Sequence, residues 1–287
     1  MNVTIRDGKM AVTINTRGAE LRSVKNEDLG LEYIWQGDPA YWRDRAPFLF
    51  PIVGRLLDDK YILDGKEGTI PMHGFARMME FTVTEQTENS VTLELHENEK
   101  TLAWYPFRFT VKAVYTVCGD QLSIRHDITN HMDRDMPFSI GEHPGFNAPL
   151  LPGDQVGDFY LEFSQEENAL RWHLNDEIID WNEKYLNGNR IDVEYHTFDK
   201  GALIFKDLKS ENVSLRCRNH NHGVTVDLRQ WRFLGIWAKP HAPYVCIEPW
   251  NGIASSDWSS HYLWEKEGIR CLPAGETRDF TLNITFF

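Results

Sequence analysis

A few side chains in this 287-residue chain are not explained by simple solvation of alternating strands. One group lies in Val245-Cys246-Ile247-Glu248-Pro249-Trp250-Asn251-Gly252, where a carboxylate sits in an apolar run and is followed by proline. On a strand, Cys246 and Glu248 share one face and Ile247 takes the other. Desolvation among apolar neighbours raises a carboxyl pKa, which suits a general base poised near neutral pH. The plainer reading is an exposed edge glutamate. A second group is Ser139-Ile140-Gly141-Glu142-His143-Pro144-Gly145-Phe146-Asn147. Glycine and proline around His143 make a shaped loop, and loops held by a rigid sheet are where function concentrates. A carboxyl group and an imidazole with separated pKa values are sufficient for paired proton transfer.

Two further segments carry polar groups in apolar settings. In Pro51-Ile52-Val53-Gly54-Arg55-Leu56, Arg55 is either a buried ion pair or a ligand contact. In Pro71-Met72-His73-Gly74-Phe75-Ala76-Arg77, the glycine after His73 permits close backbone approach to a bound molecule; a turn histidine is the alternative. Other chemistries find no support. His220-Asn221-His222 has a strand-type metal spacing, but Thr225 and Val226 stand where a downstream carboxylate ligand is needed. No Gly-x-Ser-x-Gly elbow and no phosphate-cradling glycine loop occur. No metal or other cofactor is expected.

The elements that must position these groups read as short strands. Period-two alternation recurs between turn residues along the chain. Val3-Thr4-Ile5 and Met10 to Ile14 flank Asp7-Gly8, and Tyr61-Ile62-Leu63 runs into Asp64-Gly65, both hairpin signals. Phe81 to Thr84 pairs with Val91 to Leu95, and Phe109 to Val117 turns at Gly119-Asp120 into Leu122 to Arg125. Phe159 to Phe163, Ala202 to Phe205, Val213 to Cys217, Val224 to Leu228, Leu234 to Trp237, Tyr244 to Glu248 and Phe280 to Phe286 complete the set. Helical signals are confined to Asp38 to Trp42, with Asp38 as cap, and Asp257 to Lys266. This pattern predicts antiparallel sheets packed face to face, or a barrel. With no linker, repeat or low-complexity run, residues 1–287 are expected to form a single domain.

Composition narrows the partners. The net charge of -13 argues against nucleic acid and anionic membrane surfaces. No run of about 18 apolar residues marks a transmembrane helix. Met1 to Met10 reads as strand rather than a signal peptide. The four cysteines show no C-x-x-C pair, so free thiols and a cytoplasmic location are expected. Ten tryptophans supply flat platforms suited to sugar faces, or simply packing.

Taken in order, five motifs resemble the aldose 1-epimerase (galactose mutarotase-like) superfamily, and its LacX-type bacterial subgroup in particular. They are Pro51 to Arg55, Met72 to Arg77, His143 to Asn147, Leu234-Gly235-Ile236-Trp237-Ala238-Lys239-Pro240, and Cys246 to Trp250. The resemblance implies an all-β fold, a large antiparallel β-sandwich with a sugar cleft on a concave face. It implies that His143 is the general acid, Glu248 the general base, and Arg55 and His73 sugar contacts. An aspartate that holds sugar hydroxyls falls nearest to Asp199, with Asp207 as a second candidate; Trp237 or Trp250 is a candidate stacking platform. The reaction implied is mutarotation of a free monosaccharide such as galactose or glucose. A base takes the anomeric hydroxyl proton and an acid protonates the ring oxygen. The C1–O5 bond opens, C1–C2 rotates and the ring recloses, with acid and base on opposite sides of the sugar. A non-catalytic sugar-binding module and a sugar-phosphate mutarotase, using Arg77 and Lys239, are the alternatives. A homodimer stays open.

Overall fold

A computed structural model describes residues 1–287, and the chain is almost entirely β. The main antiparallel sheet has 15 strands. Its path begins with Phe48–Leu49, Gly141–Glu142, Tyr244–Trp250, Phe233–Trp237 and Leu203–Lys206. It continues through Phe159–Asn175, Asn212–Cys217, Val224–Asp227, Thr277–Phe286, Gln121–Asn130, Phe109–Cys118, Ser90–His96 and Thr82–Gln86. Gly145–Asn147 branches onto Tyr244–Trp250, and Ile178–Asp192 onto Phe159–Asn175. A separate four-stranded sheet is built from Asn2–Asp7, Met10–Asn15, Glu20–Asn26 and Leu31–Glu32. The result is a large antiparallel β-sandwich.

Alternation explains the core. Along Thr277–Phe286, Phe280, Leu282, Ile284 and Phe286 are buried while the residues between them are more exposed. Phe109, Val111, Ala113, Tyr115 and Val117 do the same two strands away, and both sets join one cluster of 73 buried residues. That cluster excludes water from both layers and supplies the main favourable term in folding. The hairpins anticipated at Asp7-Gly8, Asp64-Gly65 and Gly119-Asp120 all form. All four cysteines are free. No helix is long and apolar enough to cross a membrane.

The structure departs from the pattern in four places. Phe159 to Phe163 is the start of a hairpin that runs through Phe159–Asn175 and Ile178–Asp192. Its register shifts between Glu162 and Glu167 and again further along, so polar and apolar residues do not keep a period of two. Its turn residues, Asp176 and Glu177, both take positive φ without a glycine to announce it. The helix expected over Asp257 to Lys266 is absent; only Leu263–Glu265 makes a 3-10 turn, and Ser256 bonds Ser259 instead. Such side-chain bonds compete with helix. Asp38 caps a single turn, accepting from Ala40 N–H at 2.9 Å, and no helix follows. The one α-helix, Glu99–Trp104, is capped by Asn98 and has no counterpart in the sequence reading.

Candidate active site

Strand Tyr244–Trp250 is buried along its whole length. Alternation puts Tyr244, Cys246, Glu248 and Trp250 on one face. The neighbouring strand pairs Gly235 with Glu248 and Trp237 with Cys246. A Cβ on Gly235 would lie 2.4 Å from the Trp250 indole, so glycine here is what lets that ring lie flat across the strand. On the other side, Gly145 pairs with Cys246. This anchors the loop that delivers His143. Glu142, beside it, is buried and hydrogen-bonded to His126, whose ring stacks on Phe48. The strand face and the loop bound a cleft of about 190 Å³, lined by Trp42, Arg55, His73, Arg77, His143, Glu177, Trp237, Glu248 and Trp250 among others. It is smaller than the ~300–1,000 Å³ of drug-sized sites, and suits one small solute.

His143 Nε2 lies 3.0 Å from Glu248 Oε2. Glu248 is 2 % exposed and His143 12 %. The approach is not aligned as a hydrogen bond: Oε2 has no partner, and neither has His143 Nδ1. Burial drives the Glu248 carboxyl well above its ordinary value. Burial also drives His143 well below the usual imidazole value, helped by the neighbouring His73. Both shifts favour the uncharged forms, a protonated carboxyl beside a neutral imidazole, so the pair as a unit holds one proton. A carboxylate beside an imidazolium would hold the same number of protons as this neutral pair, and burial selects the neutral one. The two groups stand on one wall of the cleft rather than on opposite sides of it, because their strand and loop are hydrogen-bonded neighbours.

His73 takes φ 63°, a left-handed conformation that costs an L-residue roughly 1–2 kcal/mol. Two bonds hold it there. Its N–H donates to Gly54 O at 3.0 Å, and Gly54 N–H donates to His73 Nδ1 at 3.2 Å. Gly74 follows at φ 74°, where a Cβ would lie 2.0 Å from Phe50 O. Burial pushes the His73 pKa down to about 3, with Arg77 and Lys266 adding to it. A neutral ring whose Nδ1 accepts a hydrogen bond carries its own proton on Nε2, which makes Nε2 a donor.

Arg55 lines the cleft but is heavily engaged. Nε and Nη2 donate to Asp59 at 2.7 and 2.6 Å, and Nη1 donates to the Asp176 carboxylate at 2.7 Å and its carbonyl at 3.0 Å. A guanidinium has five N–H donors, so one remains for a ligand. Those bonds hold the guanidinium above its usual pKa. Arg77 is held more loosely, by Asp44 Oδ2 and Met72 O, each at 3.4 Å. Aromatic rings frame His143: Trp42 lies 4.9 Å away at 31°, and Trp237 meets it edge-on at 5.9 Å and 84°.

The structure therefore gathers Arg55, His73, His143, Trp237 and Glu248 in one cleft, from five separate segments. It does not bring in Asp199. That residue is bonded to His196 Nδ1 at 2.7 Å in a surface turn before Leu203–Lys206, and only Ala202 and Ile204 of that region reach the cleft. Asp207 pairs with Arg232 on the surface and is likewise outside. The acidic residue that lines the cleft besides Glu248 is Glu177, at the tip of the long hairpin. Sequence offered no signal for it, since the hairpin itself was not legible. The sequence places Trp42 only at the end of a short turn; its position beside His143 is a tertiary fact.

Comparison with known proteins gives a consistent result. A family model described as aldose 1-epimerase matches residues 1–257. The plasmid and chromosomal LacX proteins of Lactococcus lactis subsp. lactis are each 34 % identical over 297 residues, covering 99 % of both chains. A galactose mutarotase related enzyme from Lactobacillus acidophilus superposes with TM-score 0.96 at 36 % identity, covering 100 % of this chain and 97 % of that one. A galactose mutarotase-like protein from Lactobacillus casei gives TM-score 0.92 at 29 % identity, with both chains covered in full.

Proposed function

Because the chain belongs to the aldose 1-epimerase family, we propose that it interconverts the α and β anomers of a free aldohexose such as galactose or glucose. The observation that carries this reading is the His143–Glu248 pair: 3.0 Å apart and buried together at the cleft wall, where burial favours the uncharged form of each. Mutarotation conserves protons on the enzyme. One is taken from the anomeric O1–H and one is delivered to O5. With Glu248 ionised and His143 protonated, Glu248 accepts from O1–H while His143 donates to O5. The pair emerges as a neutral carboxyl and a neutral imidazole. That is the form burial favours in the free protein, and it is the form poised to reclose the open aldehyde in reverse. O1 and O5 are both bonded to C1 in the ring, so two groups on one wall reach them together. Hydroxyl donors from a bound sugar fill the unpartnered Glu248 Oε2 and favour its ionised form, as hydrogen bonding to a carboxylate does.

The other groups hold the ring. His73 Nε2–H and the remaining Arg55 N–H donate to sugar oxygens, and Glu177 accepts from a hydroxyl at the cleft mouth. Trp237 and Trp250 give the apolar faces of the sugar a flat surface. The commitment of Arg55 to Asp59 and Asp176 favours an uncharged sugar over a phosphorylated one. The test is polarimetric. Pure α-D-glucose and α-D-galactose are followed separately, with and without the protein, and Glu248→Gln runs alongside. Faster approach to an unchanged equilibrium rotation, lost in the variant, supports the reading. No acceleration with either sugar, with binding retained, makes the protein a sugar-binding module instead.

A further inference from the structure

Mutarotation needs two proton-handling groups, yet a third side chain with metal-binding chemistry sits beside them. Cys246 is two residues before Glu248 on the same strand face and is completely buried. Ligand atoms of His143, Cys246 and Glu248 all lie within 4.8 Å of one another. We propose that these three residues form a site for a thiophilic divalent cation such as Zn²⁺, and that filling it switches off the epimerisation proposed above. The inhibition rests on that functional reading; the binding does not.

The geometry is close to what such an ion needs. Tetrahedral Zn²⁺ with N or O ligands at ~2.0 Å and S at ~2.3 Å places its ligand atoms roughly 3.3–3.6 Å apart. His143 Nε2 and Glu248 Oε2 are already 3.0 Å apart, so a small spreading admits the ion between them. One imidazole, one thiolate and one carboxylate form a mixed set suited to zinc or cobalt rather than magnesium or calcium. The Glu248 side chain is 2 % exposed, and its Oε2 is buried with no hydrogen-bond partner, an acceptor open to a donor or a cation. Three protein ligands leave a fourth position open toward the cleft. Coordination releases the Cys246 thiol proton and the Glu248 carboxyl proton to the buffer, with no change of oxidation state. Sugar and ion then compete for the same two groups.

A second cluster provides an internal contrast. Asp154, Cys217 and His220 are equally close together. There, however, His220 Nε2 bonds Asp154 at 2.9 Å and Nδ1 accepts from His222 N–H at 3.1 Å. Both ring nitrogens are committed, so this cluster is closed to a cation.

The experiment adds Co²⁺ to the metal-free protein, with exposed Cys118 and Cys271 replaced by serine throughout. The expected result is one equivalent bound, with a thiolate-to-cobalt charge-transfer band that Zn²⁺ bleaches. Cys246→Ser abolishes the band, keeps turnover and weakens inhibition by Zn²⁺ at least tenfold. Cys217→Ser changes neither. His143→Asn, on a different segment, also abolishes the band and carries the test if Cys246→Ser does not fold. No band in the parent protein overturns the proposal, as does a band that survives in both variants or disappears with Cys217→Ser. A band with turnover untouched by Zn²⁺ overturns the inhibition. A band in a protein that shows no turnover even without metal upholds the site and removes the epimerase reading instead.

Discussion

Glu248→Gln should raise stability while it removes activity, and the size of both effects follows from the pair's proton count. Glutamine keeps the shape of a side chain that is 2 % exposed, so no cavity opens. The unfolded carboxyl ionises above about 4.5 and the unfolded imidazole loses its proton above about 6.5, their ordinary values. The folded pair holds one proton. Between those two pH values folded and unfolded chains therefore bind equal numbers of protons at this pair, and the wild-type contribution is flat. Above 6.5 the folded state binds one more, and wild-type stability falls by ~1.4 kcal/mol per pH unit while the pair keeps its proton. The variant keeps a buried neutral His143 alone. Its stability rises to pH 6.5 and then levels. The variant-minus-wild-type difference thus grows with pH from 4.5 upward for as long as the pair keeps its proton, by at most roughly 1 kcal/mol per unit. At about 2 °C per kcal/mol for a chain of this size, the variant's Tm should gain on the wild type by a few °C between pH 5.5 and 7.5. Turnover should fall by about 10²–10⁴-fold, some 3–5 kcal/mol of barrier. Calorimetric melts at the two pH values, with polarimetry on the same samples, read both. A Tm difference that does not change between pH 5.5 and 7.5 would show that the buried pair does not hold its proton, and the acid–base argument would fall with it.

Gly235→Ala places a methyl against the Trp250 ring. Overpacking of about 1–3 kcal/mol should lower Tm, and the displaced indole should raise KM more than it lowers kcat in polarimetric assays. Asp199→Asn and Asp207→Asn, both outside the cleft, should leave kcat/KM within about twofold of wild type, whereas Glu177→Gln should raise KM; the reverse pattern in the same assay would restore the aspartate assignment. Lys266 is buried, donates to Ile253 O and has its pKa lowered to about 7, chiefly by burial. Its folded pKa lies below the ordinary 10.5, so the unfolded chain binds more protons between the two values and stability rises with pH across that window. Lys266→Met should remove that slope, up to ~1.4 kcal/mol per unit, as read by denaturant titration from pH 7 to 10.

Much of this molecule is local information. Alternation in Phe109 to Val117 and Leu282 to Phe286, with glycine turns at Gly8, Gly65 and Gly119, determines strands and hairpins because side-chain direction reverses at every residue. The isolated polar groups were legible for the same reason: Glu248 breaks an apolar strand face, and His143 interrupts a Gly-Pro-Gly loop. The resemblance then tied segments about 200 residues apart to a single site, which no spacing rule does. Tertiary structure decided the rest. The hairpin over residues 159–192 is defined by register shifts and by positive φ at Asp176 and Glu177, and neither leaves a compositional mark. It alone brings Glu177 to the cleft and Asp176 to Arg55. Asp199 matched by position along the chain, but its turn faces solvent, and position does not encode direction once the period is lost. The protonation state of His143 and Glu248 is likewise a property of the assembled core. Sequence identifies which groups can titrate, whereas the desolvation that selects their neutral forms comes from atoms packed around them by the whole sandwich.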